Sequence, residues 1–184
     1  MIISNTLVRN WFEEEFNNLH PLLQKLHLEG GTLSGDVHIQ YGNGIAGLIG
    51  RRMAKKMGLP VAGAHQLVVD ISHDKDGLHW YRSFNHRDVV KSLFKPVGEK
   101  SNGHWLETTG PLTMQLTVDI NRGGWYWRCL SMKAFGVPLP MWLLPKTTAY
   151  KVIEDERYRF YVEFSLPIIG SLVCYSGLLD TVDT

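Results

Sequence analysis

The chain has 184 residues, of which 44% are hydrophobic and 20% are charged, and its formal net charge is +1. That length suits one domain, because domains usually contain about 100–200 residues. The composition excludes an intrinsically disordered chain, and two cysteines are too few for a disulfide framework. A dedicated nucleic-acid binder would be clearly basic. We therefore expect a single globular domain over residues 1–184 that has no nucleic-acid partner.

The N-terminus predicts neither a secretory signal nor a membrane anchor. Asn5, Arg9 and the acidic run 13–15 interrupt any apolar stretch there. No window approaches the roughly 20 apolar residues of a transmembrane segment. Cys129 and Cys174 fit reduced thiols, although a disulfide between them stays open. We expect a cytoplasmic protein.

Residues 5–27 are predicted to form an N-terminal helical segment. Ser4 or Asn5 can cap its start, and we expect Pro21 to break it into two pieces. Gly30 is expected to follow its end, since glycine readily ends helices.

Residues 33–41 alternate as a half-buried strand, and residues 44–57 then change to helical period. One side of this second helix is apolar, with Ile45, Leu48, Ile49, Met53 and Met57. The other side is basic, with Arg51, Lys55 and Lys56. Such a helix could bind an anionic membrane, but we favour a solvated basic face on a helix docked against a sheet.

From residue 64 onward the pattern predicts strands and turns. The candidate strands are 65–72, 78–84, 89–96, 103–108, 112–120, 125–133, 147–154, 158–166 and 170–178. We predict an α+β fold, with N-terminal helices packed on a strongly curved antiparallel sheet or barrel-like meander of about 8–10 strands. The apolar, proline-containing loop Gly136–Pro145 is expected to cover one end.

Residues 42–47 match the pattern G-x-G-x-x-G between a strand and a helix. This pattern can hold a dinucleotide, and Asp70 stands about where its ribose-binding acid would. However, the preceding strand has one polar face, and the downstream pattern is antiparallel rather than strand–helix–strand. We therefore interpret the glycines as a turn and expect no cofactor.

The familiar catalytic motifs are missing. The eight histidines show no helical i, i+4 pair or cysteine pairs beside them, so we expect no metal. No nucleophile elbow or phosphate-binding loop occurs either. Catalytic residues therefore stay unknown at this stage.

The strand over residues 78–84 carries the most information. Trp80, Arg82 and Phe84 project to one face. If that face points inward, Arg82 needs a carboxylate partner or an anionic ligand, because an unpaired buried charge is costly. The candidate carboxylates are Glu107, Glu154 and Glu163. A structural ion pair, or an arginine facing water, is the simpler alternative.

Several short motifs resemble one known family. They are Leu59-Pro60, Trp80-x-Arg82-x-Phe84, Ser92, Glu107-x-x-Gly110-Pro111, Gly136-x-Pro138-Leu139-Pro140, Pro145, Glu154, Leu166-Pro167-x-x-Gly170-x-Leu172 and Tyr175-x-Gly177-x-Leu179. Over roughly residues 20–180 the chain resembles the uncharacterised bacterial family called domain of unknown function 4166. The resemblance implies Arg82, Glu107, Glu154 and Tyr175 as positions of interest. It also implies an accessory or ligand-handling role, because in some larger proteins a similar domain lies beside a saccharopine-dehydrogenase-like nucleotide-binding region.

Three functional hypotheses follow. The leading one is a non-enzymatic binder of a small amphipathic or hydrophobic ligand, with an acidic group as one option, in the concavity of the sheet. Its ligand-binding residues would be Trp80, Arg82, Phe84, Glu107, Glu154 and Tyr175. The second is an enzyme that uses acid–base residues around Arg82, Glu107 and Glu154, helped by a histidine or Tyr175. The third is a module with a filled core that binds a protein partner through the loop 136–145.

Overall fold

The protein begins with helices and continues as strands, as the sequence predicts. The computed structural model describes residues 7–182, apart from the side chains of Asp88 and Leu143. The helices are α1 (Leu7–Phe12), α2 (Pro21–Glu29) and α3 (Gly44–Lys56), with short 3-10 turns at Glu13–Asn18 and Met141–Leu143. The strands are β1 (Gly31–Tyr41), β2 (Gly63–Asp74), β3 (Gly77–Phe84), β4 (Asp88–Val97), β5 (His104–Thr109), β6 (Leu112–Asn121), β7 (Gly124–Ala134), β8 (Val137–Leu139), β9 (Lys146–Glu154), β10 (Arg157–Leu166) and β11 (Gly170–Val182).

Ten of these strands form a closed antiparallel barrel. The order runs from β1 to β7, continues through β9, β10 and β11, and returns to β1. Strand β8 is an extra strand that pairs with the last residues of β7. The predicted α+β fold is confirmed, and the curved sheet closes completely.

Alternation along each strand explains the core. On β6, Leu116 and Val118 are buried inside the barrel, whereas Asp119 is exposed outside it. Short hairpins join most neighbouring strands, as at Asp155 and Glu156, where both residues have positive φ. Consecutive positive φ values match the right-handed twist of the flanking strands, so such turns favour tight hairpins.

The N-terminal segment closes one end of the barrel. Its apolar side chains are almost fully buried there, including Val8, Trp11, Phe12, Phe16 and Leu23. Backbone hydrogen bonds fix it in place, from Lys100 N–H to Trp11 C=O at 2.8 Å and from His20 N–H to Gly123 C=O at 2.9 Å. The predicted cap at Ser4 or Asn5 lies outside the described residues.

The predicted break at Pro21 is shifted. The first helix ends at Phe12, and Pro21 is the first residue of α2 rather than an interruption. Proline is well suited to that position, because the first helical N–H has no partner within the helix anyway. His20 caps the helix instead, accepting a hydrogen bond from Leu22 N–H through Nδ1 at 3.3 Å.

Helix α3 packs against the barrel through small residues. Ala46, Gly47, Gly50 and Ala54 are its buried residues, and β11 is its main neighbour. The apolar side that the sequence indicated points largely away, with Ile45 70% and Leu48 50% exposed. A side chain at Gly50 would place Cβ 1.9 Å from the Leu172 carbonyl oxygen, so only glycine permits this close approach.

The two ends of the barrel differ, and we name them by their connecting segments. The helical end contains residues 75–76, 98–103, 122–123 and 155–156, next to α1 and α2. The open end contains residues 42–62, 85–87, 110–111, 135–145 and 167–169. Inward side chains towards the helical end, such as Trp105 and Trp125, have no exposed surface. Nearer the open end, Arg82 keeps 18% and Glu107 keeps 12% of its side chain exposed.

Candidate functional site

Five of the six predicted ligand-binding residues lie inside the barrel. Trp80, Arg82 and Phe84 lie on β3, Glu107 on β5 and Tyr175 on β11. Their inward orientation follows from the alternation of their strands, whose inward residues also include the buried Leu78, Trp105 and Val173.

The other predicted carboxylates lie elsewhere. Glu154 is on the outer surface, where it accepts a hydrogen bond from Arg159 Nε at 2.9 Å. Glu163 also faces outward, accepting a hydrogen bond from the Tyr161 hydroxyl at 3.0 Å. The carboxylate that the fold brings to Arg82 is therefore Glu107.

A chain of hydrogen bonds connects Arg82 to Glu107. Arg82 Nη2 donates to Ser92 Oγ at 3.2 Å, and Thr109 Oγ1 donates to Glu107 Oε1 at 3.0 Å. Ser92 Oγ and Thr109 Oγ1 are 2.6 Å apart, and the Thr109 proton is already used, so Ser92 is the donor between them. Arg82 Nη2 is 4.0 Å from Glu107 Oε1. The two charges therefore attract each other without direct hydrogen bonding.

Lys151 is an interior residue that the sequence analysis did not single out. It lies on the inward face of β9, is only 8% exposed, and places Nζ 2.7 Å from Nε2 of His27 on α2. Indole rings surround the amine, with Nζ 4.2 Å from the centroid of Trp80 and 4.3 Å from that of Trp125. The alternation of Ala149, Lys151 and Ile153 was the available signal, because it places a lysine on the apolar face of a predicted strand.

The tautomer of His27 follows from its two contacts. Nδ1 lies 2.8 Å from the Leu23 carbonyl oxygen, which can only accept, so Nδ1 carries the proton. Nε2 then offers a lone pair to the amine of Lys151. The imidazole is also stacked on Trp125, with ring centroids 4.4 Å apart.

Burial shifts the pKa of each of these groups in the direction that disfavours its charged form. The pKa of Lys151 lies well below its usual value, chiefly because water is excluded and secondly because Arg82 is a nearby cation. Glu107 and the indole faces oppose that shift only in part. Burial also lowers the pKa of His27 well below its usual value, and Lys151 adds to the effect. The pKa of the Tyr175 hydroxyl is raised by burial.

The interior thus brings together the Arg82 guanidinium, the Glu107 carboxylate, the buried Lys151 amine and the His27 imidazole, with aromatic walls around them. Such a combination can hold an acidic group through Arg82 and an apolar body against the rings. It can also carry out proton transfer between Lys151 and His27. Among the described residues, no three His, Cys, Asp or Glu side chains cluster to hold a metal.

A comparison with protein families identifies the chain. The model of the family described as domain of unknown function (DUF4166) matches residues 19–179. The chain belongs to the DUF4166 family. The match covers all of α2 and the barrel up to Leu179 on β11, so the interior residues of this DUF4166 member lie within the matched region. A comparison with curated proteins gives no match.

Other features of this DUF4166 member lie outside the barrel. No helix within residues 7–182 is long and apolar enough to cross a membrane. Cys129 and Cys174 are both free thiols. Cys174 lines an outer groove of about 340 Å³ together with Tyr161 and Glu163, separate from the interior site.

Proposed function

We propose that the barrel interior binds a small amphipathic molecule that carries an acidic group. The observation that supports this most directly is Arg82, a partly exposed guanidinium on the inward face of β3. Among the described residues its hydrogen-bond acceptor is the Ser92 hydroxyl, which leaves most of its donors for a ligand. The acidic group would meet Arg82, and the apolar body would lie beside Trp80.

The partial exposure of the interior favours this proposal over a filled core. Trp80, Arg82 and Glu107 all retain solvent contact, although they face inward. The proposal assigns ligand contacts to Trp80, Arg82 and Glu107, and it keeps Phe84 and Tyr175, which have almost no exposed surface, as part of the surrounding wall. It does not use Glu154, whose side chain pairs with Arg159 outside.

Binding of dansylaminoundecanoic acid, followed by its fluorescence, tests the proposal. We expect the acid to bind more tightly than its neutral methyl ester. Arg82→Gln should weaken binding of the acid by about tenfold or more, because a hydrogen bond to a charged group contributes about 1.5–3 kcal/mol. Binding of the ester should change little.

Two further variants sharpen this test. Arg128→Gln removes an arginine that pairs with Asp119 on the outer surface, so it is the matched control and should bind like the wild type. Glu107→Gln removes the charge that repels an acid and competes for Arg82, so it should tighten binding. Equal affinity of folded wild type and Arg82→Gln for the acid would refute the role of Arg82.

A second candidate function is catalysis by Lys151, favoured by its hydrogen bond to His27. A neutral amine can attack the carbonyl carbon of a ketone or aldehyde, and loss of water from the resulting carbinolamine gives an imine. His27 Nε2 would accept the proton that the nitrogen releases and return it to the departing hydroxyl. The Arg82 guanidinium would hold a carboxylate on the same substrate.

Reductive trapping tests the second candidate. Levulinate, a short keto acid, and sodium cyanoborohydride should add one alkyl group at Lys151, detected by peptide mass mapping. Exposed Lys95 serves as the internal comparison for ordinary surface reactivity. If Lys151 were labelled no faster than Lys95, amine catalysis would be excluded. The proposal that the interior binds an acid would still stand, because the dansyl acid tests it separately.

A further inference from the structure

The exposed apolar side chains gather at one end of the molecule. Of the fourteen large hydrophobic side chains that are exposed among the described residues, ten lie in the open-end segments. Trp142 is 82% exposed, Phe135 is 85% exposed and Ile168 is fully exposed, each in a connection between strands. Ile45 and Leu48 add the outward side of α3. Apolar residues concentrated in this way mark a contact surface.

The same end is basic. Its connecting segments contain Arg51, Arg52, Lys55, Lys56 and Arg87 and no Asp or Glu. The connecting segments of the helical end contain four acidic residues and three basic ones. The nearly neutral net charge of the chain therefore conceals a strongly basic open end.

A basic groove lies within this surface. It has a volume of about 1000 Å³ and is lined by Arg51, Lys55 and Arg87 together with Tyr41, Leu59 and His65. No Asp or Glu of the described chain lines it. Both ring nitrogens of His65 already have partners, at Val61 C=O and the Asn85 amide, so the three cations supply its free charge. The groove suits phosphate groups.

The charge pattern decides between the partners that such a surface could accept. Two copies of the chain meeting through their open ends would bring one cluster of cations against another, which is unfavourable. An anionic lipid bilayer attracts the cations and also accepts apolar side chains that project from separate loops. Helix α3 packs against β11, and Ile45, Leu48, Arg51 and Lys55 are all exposed on it.

We propose that the open end docks on anionic lipid bilayers. Trp142, Phe135 and Ile168 insert among the acyl chains, while Arg51, Lys55 and Arg87 contact headgroup phosphates in the groove. This docking does not depend on whether the barrel interior binds a ligand.

Co-sedimentation with vesicles tests the docking. The full chain should bind vesicles of phosphatidylcholine with one-third phosphatidylglycerol and should not bind phosphatidylcholine alone. Binding should be lost in 1 M NaCl, where the Debye length is about 3 Å. The double variant R51E/K55E should bind at least about tenfold more weakly, because each cation near an anionic surface contributes to binding.

Matched variants separate docking from general effects of charge and hydrophobicity. K25E/K75E makes the same change of charge at exposed lysines of α2 and the β2–β3 turn and should bind like the wild type. W142S/I168S should lose binding, whereas V97S/V182S, which changes two exposed valines near the helical end, should retain it. Trp142→Phe should still bind but show much less fluorescence quenching by brominated lipids.

Several results would overturn the proposal. These are failure of the wild type to bind anionic vesicles, equal binding of R51E/K55E and K25E/K75E, and equal binding of W142S/I168S and V97S/V182S. Sedimentation velocity in the same buffer tests whether a second copy of the chain covers this surface instead. A dimer that W142S/I168S dissociates, with no vesicle binding by the wild type, would assign this surface to a second copy instead.

Discussion

The amine of Lys151 lies where a lysine is seldom found. Lysines usually keep their charge in water, yet this side chain is nearly buried among Trp80, Trp125 and His27. Burial lowers the pKa of Lys151 in the folded protein, whereas the pKa of this lysine in the unfolded chain keeps the ordinary value of about 10.4. Between these two values the unfolded state binds more protons, so stability rises with pH.

Lys151→Met should therefore reduce the pH dependence of stability. We expect the free energy of unfolding of the variant, relative to that of the wild type, to fall as the pH rises from 7.5 to 9.5. The slope of this difference cannot exceed about 1.4 kcal/mol per pH unit, which is the limit for one titrating group. Guanidinium denaturation at several pH values measures it.

The difference between the two proteins isolates Lys151 from the other buried groups. Burial raises the pKa values of Cys129 and Tyr175, which lowers stability at high pH in both proteins alike. Lys95→Met changes an exposed lysine on β4 and should reproduce the wild-type pH dependence. Parallel curves for wild type and Lys151→Met would show that the folded state holds this amine in its charged form.

Single residues also show how far the sequence predicts the interior. Alternation on β3 places Arg82 beside Trp80 and Phe84, and the structure places all three inside. Alternation alone does not identify Glu107 rather than Glu154 as the partner of Arg82, because that choice depends on which face of each strand points inward. His27 could not be predicted either, since its contact with Lys151 joins positions 124 residues apart.

Helix α3 shows how packing at the level of an element can oppose hydrophobic periodicity. The periodic apolar residues predicted a buried side containing Ile45 and Leu48, but the buried residues are Ala46, Gly47, Gly50 and Ala54. Small residues let the helix backbone approach the strand backbone, which gives close van der Waals contact that large side chains would prevent. Hydrophobic periodicity follows the large apolar side chains and gives little weight to glycine. It therefore indicated the side with Ile45 and Leu48 instead of the side with the small residues.

Gly50→Ala should destabilise the protein, although alanine favours helices. Its Cβ would overlap the Leu172 carbonyl oxygen, whose β11 backbone cannot move freely. We expect the free energy of unfolding to fall by about 1–3 kcal/mol, as for other overpacked sites, despite a gain of up to about 1 kcal/mol in helix propensity. Thermal or guanidinium unfolding provides the measurement.

Leu48→Ala is the matched control on the same helix. Its side chain is half exposed, so we expect a change within about 0.5 kcal/mol, as for most surface substitutions. If Gly50→Ala proved as stable as the wild type, the close contact between α3 and β11 would not exist in solution.

At the scale of the whole molecule, the sequence predicts the strands better than their closure. Alternation and turn residues locate the long strands, but not the pairing of β1 with β11. Nor do they show that the first residues of β7 pair with β9 and that its last residues pair with β8. These pairings join distant parts of the chain, and local patterns carry no information about them. The short strand β8 lies in the segment predicted as a loop.

The first and last residues that the structure describes lie at the same end of the barrel. Leu7 and Val182, the outermost residues that the structure describes, both lie at the helical end, and Val182 pairs with Thr32 at the start of β1. A fluorescent protein or a surface tether joined at either residue would be attached at the end of the barrel opposite the open end. A protein immobilised in this way would present its basic, apolar end to the solution, so vesicles could be flowed over an oriented layer.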